Sequence, residues 1–388
     1  MAKKPLSPEA RSILNSQVSR RALLAGAGAV AGAGALAACG SGGSSGASKD
    51  AVRWANWTLY LDVDSSGKKY PTLEAFTKQT GIKAVYSEDI NDNDEFFGKV
   101  QGQLKLKKDI GYDVITPTDW MAARFIRLGY TQKFDKANIP NAKNIISSLA
   151  SVPFDQNRDY SLTWQGIMGG FTWNKEKLPK GVRTLDDLFA PANKGKVEVL
   201  TELRDTVGVI MLAQGVDITK FTSDQYYNAL DFLQKKIADG FIRQVKGNDY
   251  KEDLISGDAV AVIGWSGDAF QLAAENEGKF EFAIPESGGT ISADNFIIPS
   301  TGKNKAKVEE LINYYYEPEV AAKVAAYVNY ITPVQGAQAA MEKVDPTLVN
   351  NELIFPSAKT QAKLHVFRNL TPTEETEFTD AFQKATGN

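Results

Sequence analysis

Val52-Arg53-Trp54-Ala55-Asn56-Trp57-Thr58-Leu59-Tyr60 opens a pattern that occurs twice more before residue 130. Its apolar run predicts a strand, and residues 73–80 then carry apolar side chains at helical spacing up to Gly81, where a helix stops. Residues 82–86 predict the next strand, and 94–106, begun by an Asn/Asp cluster, the next helix. A third strand at 112–116 and a helix at 120–128, stopped by Gly129, complete the series. Strands that alternate with helices imply a mostly parallel sheet covered by helices, with ligands met at the carboxyl ends of the strands.

A second set follows. Strands are expected at 169–173, 197–200 and 259–265, and helices at 205–213, 223–239 and 268–275. A strand at 295–298 and helices at 305–316 and 318–328 come after them. The chain therefore reads as two α/β units within 388 residues, long enough to bury proper cores.

Composition removes several functions. The only cysteine is Cys39 and the only histidine His365, which excludes a disulfide framework, multi-cysteine zinc sites and two-histidine metal sites, and argues against histidine-based catalysis. The net charge of -3, with no basic stripe, lacks the footprint of a nucleic-acid binder. Gly264-Trp265-Ser266-Gly267-Asp268 is not a nucleophile elbow, because Asp268 stands where the second glycine belongs. The acidic run 89–94 is not a calcium loop, since its sixth position is Asp94 instead of glycine and its twelfth is Val100. Neither an enzyme nor a cofactor is expected. An exported chain built of two α/β units without a catalytic His or Cys fits capture of a ligand better than its conversion.

The N-terminus carries the export signal. Ser19-Arg20-Arg21-Ala22-Leu23-Leu24 precedes an uncharged Ala/Gly/Leu/Val stretch at 22–38, and Leu36-Ala37-Ala38-Cys39 follows in the order of a lipoprotein signal. At 17 residues the apolar run falls short of the ~20 that span a bilayer. Residues 1–38 are expected to be a twin-arginine signal peptide, Cys39 the lipidated residue, and 39–50, rich in Gly and Ser, a flexible tether. Removal of 1–38 takes away five basic residues and one acidic, leaving 39 against 46 and a net of -7. The expected location is the outer face of the cytoplasmic membrane, at the cell surface or in the periplasm. The translocon for twin-arginine signals and the lipoprotein-processing enzymes are the expected partners in export.

Residues 56–60 (NWTLY), 76–86 (FTKQTGIKAVY) and 112–120 (YDVITPTDW), then Gly264-Trp265-Ser266-Gly267-Asp268, the run 285–299 and Tyr330-Ile331-Thr332-Pro333, together resemble the bacterial spermidine/putrescine-binding proteins of polyamine ABC transporters. The resemblance covers nearly all of the chain after the tether. It implies a two-lobed type II periplasmic-binding-protein fold, each lobe a mixed, mostly parallel sheet flanked by helices, with a ligand cleft between them. Lobe one is expected to comprise 51–163 and 293–330, and lobe two 164–292 and 331–388. It further implies a monomer that delivers a polyamine to ABC permease subunits.

Polyamines are alkyl chains bearing ammonium groups, so their sites need carboxylates for the charges and aromatic faces for the methylenes. Carried over position by position, the resemblance assigns Trp57, Thr58, Tyr60, Thr118 and Trp120 to the first wall of the site. It assigns Trp265 and Asp268 to the second wall, Asp294 to the returning strand, and Tyr330 beside them. Asp268 also reads as the N-cap of a following helix. Three departures stand out. Ser292 occupies a position where the family often has an aromatic; the acids expected for one terminal amine fall on Leu203 and Thr206, with Glu202 and Asp205 as shifted neighbours; and Arg368 falls where a residue would face the site. They leave open a short or unusual polyamine, another small amine or a polyol, or a polyamine sensor or enzyme on the same fold.

Overall fold

A computed structural model describes residues 50–387, so the export signal and Cys39 lie outside the described residues. The predicted series of strands and helices is present from its first member. Strand β1 (Val52–Trp57), helix α1 (Pro71–Thr80), strand β2 (Ala84–Ile90), helix α2 (Asn93–Lys105), strand β3 (Val114–Ile115) and helix α3 (Asp119–Arg127) follow in order. The three strands form a parallel sheet in the order β2-β1-β3, so the chain reverses its winding at β1. Gly81 ends α1 with φ 75°, as its place after the apolar run requires.

Strand β4 (Leu162–Asn174) is buried along all 13 residues, and sequence reading placed only its second half. Leu162-Thr163-Trp164-Gln165 and Phe171-Thr172-Trp173-Asn174 both alternate, and the stretch Gly166-Ile167-Met168-Gly169-Gly170 between them interrupts the pattern, so the two halves do not read as one strand. Next come β5 (Val197–Leu200), α4 (Leu203–Ala213), α5 (Ser223–Ala238), β6 (Ile242–Lys246), α6 (Tyr250–Ser256), β7 (Ala261–Trp265) and α7 (Ser266–Glu275). They are followed by β8 (Phe280–Ala283), β9 (Gly289–Phe296), α8 (Lys305–Tyr315), α9 (Pro318–Val328), α10 (Ala337–Val344), β10 (Leu364–His365) and α11 (Pro372–Thr386). The second sheet runs β10-β9-β4-β7-β5-β6, with β8 also on β4. Strands β5, β6 and β7 are mutually parallel, whereas β4 is antiparallel to β7, β8 and β9.

Two hydrophobic cores result. Trp54 anchors the first, edge-on to Trp164 at 5.2 Å and packed with Phe296 and Tyr315. Phe171, Trp173, Val207 and Phe378 belong to the second. The segment after 330 divides between them: Val334, Ala337, Met341 and Ile354 join the first core, because α10 packs on α9, and only from Phe367 does the chain enter the second. The expected assignment of all of 331–388 to lobe two differs from this packing. Among the described residues, no helix is long and apolar enough to cross a membrane.

Candidate functional site

Parallel strands deliver side chains at their carboxyl ends, and both sheets use this property towards the same space. Trp57 ends β1, Asn91 follows β2 and Thr118 follows β3; opposite them, Glu202 follows β5, Asn248 follows β6 and Trp265 ends β7. The strands that pass between the cores contribute the floor, with Ile167 on β4 directly opposite Ser292 on β9, and Asp294 two residues further along. These residues surround one pocket.

Seven of the expected residues, Trp57, Thr58, Tyr60, Thr118, Trp265, Asp294 and Tyr330, line this one pocket. Leu59 and Asn329, immediately before Tyr60 and Tyr330, hold left-handed backbone at φ 59° and 56°. That conformation costs about 1–2 kcal/mol for an L-residue, so packing around both tyrosines must hold it. The two rings meet edge-on, 4.9 Å apart. Trp57 and Trp265, from opposite walls, lie 6.3 Å apart and inclined at 68°.

Two expected residues stand elsewhere. Asp268 is buried behind Tyr330: its carboxylate accepts from the Tyr330 hydroxyl at 3.0 Å and the Tyr250 hydroxyl at 2.9 Å, and pairs with Lys251 at 3.1 Å. Its charge is therefore already matched. It caps no backbone amide either, since Trp265 occupies the N-cap position of α7. Trp120 turns away from the pocket, its indole nitrogen donating to Glu202 at 2.8 Å and its ring lying under the Arg204 guanidinium at 3.9 Å.

Glu202 and Asp205 complete the pocket instead of Leu203 and Thr206. Glu202 is the N-cap of α4, its side chain accepting from the Arg204 amide, and Asp205 stands on the first turn; both line the pocket, whereas Leu203 and Thr206 are buried in the core. The acidic N-cap followed by an acid in the first turn was the signal that a match one residue out of step obscured. Asp92, at the start of α2, adds a fourth acid, and among the described residues no lysine or arginine lines the pocket.

Burial dominates the acids' protonation. It pushes Asp294 up to about 8, with the charges of Asp119 and Glu202 adding to the rise and the Thr118 hydroxyl, donating at 2.7 Å, opposing it. Burial likewise raises Glu202 to about 7, opposed by the Arg204 guanidinium. Asp205 is raised by burial too, against the hydrogen bonds from Thr290 and from Trp265, whose indole nitrogen donates at 2.8 Å. Acids crowded in this way favour protons or another cation among them.

Arg368 stays out of the inner pocket. Its guanidinium pairs with Glu374 at 2.6 Å and lies 4.2 Å from the Phe221 ring centre, beside a larger outer cleft. Across that cleft, Arg124 and Arg127 of α3 reach Glu375 of α11 at 3.1 and 2.5 Å.

Residues 72–355 match the family described as bacterial extracellular solute-binding protein. The chain is 29% identical over 320 residues to the spermidine/putrescine-binding periplasmic protein of Salmonella typhimurium, covering 82% of this chain and 86% of that one. It is 27% identical over 360 residues to the putrescine-binding periplasmic protein of Escherichia coli K12, covering 88% and 93%. A solved structure, a putative spermidine/putrescine ABC transporter from Listeria monocytogenes, superposes with a TM-score of 0.73 at 24% identity, over 87% of this chain and 98% of that one. The architecture is accordingly the two-lobed type II periplasmic-binding-protein fold.

Proposed function

The chain belongs to the bacterial extracellular solute-binding protein family, and from that premise we propose that it captures a polyamine of the putrescine or spermidine class outside the cytoplasm and delivers it to the permease of an ABC importer. One observation carries the reading: Glu202, Asp205, Asp294 and Asp92 share a pocket walled by Trp57, Trp265, Tyr60 and Tyr330, with no cationic side chain among the described residues that line it. Ammonium groups satisfy the acids, and methylenes lie along the rings. Each ring over an ammonium contributes about 0.5–2 kcal/mol according to desolvation. The names of the two periplasmic relatives agree with this chemistry.

Trp57, Thr58, Tyr60, Thr118, Trp265, Asp294 and Tyr330 touch the ligand in this reading, together with Glu202 and Asp205. Asp268 acts through Tyr330, and Trp120 acts through Glu202. The walls come from different cores, so a ligand that bridges them favours the closed arrangement by its differential affinity for it. The protein returns its ligand unchanged, works as a monomer, and is held by a lipid on Cys39 after export through the twin-arginine route. Support for the anchor is the order of the Arg pair, the apolar run and Leu36-Ala37-Ala38-Cys39.

Calorimetry with putrescine, spermidine, cadaverine, amino acids and polyols tests the ligand class. Micromolar or tighter binding confined to the di- and triamines is expected; preference for an amino acid or a polyol sinks the reading. A Cys39→Ser chain recovered from membranes with the lipid mass of the wild type would overturn the anchor.

A further inference from the structure

The two sheets meet a second time, at the side of the pocket away from the strands that pass between the cores. In the first sheet β3 is the strand tied to those crossings, through the bridges Thr118–Asp294 and Ile115–Ile297, so β2 is its outer edge. In the second sheet β9 and β4 lie towards one side and β6 ends the order at the other. The loops that leave these two outer edges abut. A Cβ on Gly247, just after β6, would lie 3.1 Å from the carbonyl oxygen of Asn91, just after β2, so only a glycine allows so close an approach without displacement. Beside that contact the Thr201 hydroxyl donates to Asp92 at 2.9 Å, a hydrogen bond from one sheet's loops to the other's.

Asn248 stands in this rim. It lines the pocket and is only 7% exposed, yet its amide oxygen Oδ1 has no hydrogen-bond partner among the described residues. A buried carbonyl oxygen without a donor costs free energy, and a native structure keeps one where a partner is to arrive. The loop is also held at both ends. Lys246 before it pairs with Asp253 at 2.5 Å; Tyr250 after it, fully buried, donates to Asp268 at 2.9 Å and accepts from the Trp265 amide at 3.1 Å. Only three residues, 247–249, connect β6 to α6, so Asn248 has little freedom to turn its amide elsewhere.

Position then names the donor. Asp294 reaches the pocket from a crossing strand and Asn248 from the opposite rim, so a ligand that meets both carries a hydrogen-bond donor at each end. An ammonium group supplies such donors, and an alkyl diammonium supplies them at two ends. Resting on the polyamine reading above, we propose that Asn248 is a specificity-determining ligand contact, its amide oxygen accepting an N–H of the ammonium at the rim end of the polyamine while the other ammonium lies among the acids nearer the floor. The contact distinguishes a diamine from a monoamine of the same chain length.

Calorimetry on the whole protein with putrescine, spermidine and butylamine, the last by displacement, tests this in Asn248→Leu, Asn248→Ala and Asn248→Asp, each checked for folding by its melting curve. Putrescine should bind about tenfold more weakly to the Leu and Ala variants, and butylamine less than about threefold more weakly, because its single ammonium stays with the acids. Asn248→Asp, which keeps the size and the acceptor, should bind putrescine within about threefold of wild type or more tightly. Putrescine and spermidine affinities within about twofold of wild type in both Asn248→Leu and Asn248→Ala overturn the contact and leave the polyamine reading intact. Equal losses for putrescine and butylamine, or a loss in Asn248→Asp as large as in Asn248→Leu, overturn it as well, since Asn248 would then merely hold the loop. Failure of putrescine and spermidine to bind the wild type overturns the polyamine reading itself, and this proposal with it.

Discussion

The Trp265 indole nitrogen donates to the Asp205 carboxylate at 2.8 Å, joining an aromatic wall that ends β7 to an acid on the first turn of α4. One hydrogen bond thus fixes the ring plane and the carboxylate relative to each other before any ligand arrives. Preorganisation of this kind lowers the ordering cost of binding.

Asp205→Asn should weaken polyamine binding by about ten- to a hundredfold, the effect of losing roughly 1.5–3 kcal/mol from a charged hydrogen bond. Trp265→Phe keeps a ring but loses the donor, and should cost less than Asp205→Asn. Titration calorimetry on folded variants measures both. Wild-type affinity in Asp205→Asn would place the ammonium elsewhere.

Much of this was legible in the sequence, and for a physical reason. Parallel strands expose their carboxyl ends to ligands, so once β1, β3 and β7 are found, Trp57, Thr118 and Trp265 are candidates by position alone. Side-chain direction was not legible to the same degree. Trp120 follows β3 as closely as Thr118 does, yet α3 has already begun at Asp119 and carries Trp120 round to Glu202 and Arg204. Asp268 looked like a ligand acid because nothing in the chain's order announces Lys251, which neutralises it. The length of β4 is masked by the glycines at 166, 169 and 170, and the split of 331–388 between two cores depends on contacts far apart in sequence, where local periodicity is silent.

Proton release should accompany binding. Asp294, raised to about 8, holds its proton in the free protein at neutral pH, and Glu202, raised to about 7, holds it in part. An ammonium in contact with them favours the ionised forms, so affinity should rise from pH 6 to pH 8. Binding heats at pH 7 in two buffers of different ionisation enthalpy should then differ; equal heats and a flat pH profile would contradict this.

The same group makes a stability prediction. The folded Asp294 value near 8 exceeds the ~3.9 of an unfolded aspartate, so its contribution is fully present below pH 4 and is lost as pH rises through 8. Asp294→Asn removes that loss. The ligand-free variant should melt higher than the wild type at pH 8 and lose polyamine binding, two shifts of opposite value to the cell. Equal melting temperatures at pH 8 would show that the buried carboxyl carries no such cost.

Gly267 exists to admit Tyr330. A Cβ there would lie 2.3 Å from the tyrosine ring, and ring carbons held by Asp268 and Tyr60 have no room to give. Gly267→Ala should therefore displace Tyr330, weaken binding at least tenfold and lower the melting temperature. Asp268→Asn, which retains an acceptor for the Tyr330 hydroxyl, should cost less. A larger loss for Asp268→Asn than for Gly267→Ala would make Asp268 a direct ligand contact.

Glu375 closes the far end of the cleft. Its carboxylate on α11 of the second lobe is reached by Arg124 at 3.1 Å and Arg127 at 2.5 Å, both on α3 of the first. With its side chain only 7% exposed, the pairing is screened far less than one at the surface, and removing Glu375 leaves the guanidinium groups of Arg124, Arg127 and Arg204 facing one another. These ion pairs exist only while the lobes meet, so they stabilise the closed state and not the encounter. Glu375→Gln should accordingly raise the dissociation rate about tenfold, equivalent to roughly 1.4 kcal/mol, with the association rate within about threefold of wild type. Small-angle scattering should show a larger radius of gyration for the variant at the same subsaturating ligand. An unchanged dissociation rate together with an unchanged scattering curve would mean that the two α3 arginines merely cover Glu375 and that closure is held by the ligand and the Trp57–Trp265 contact alone.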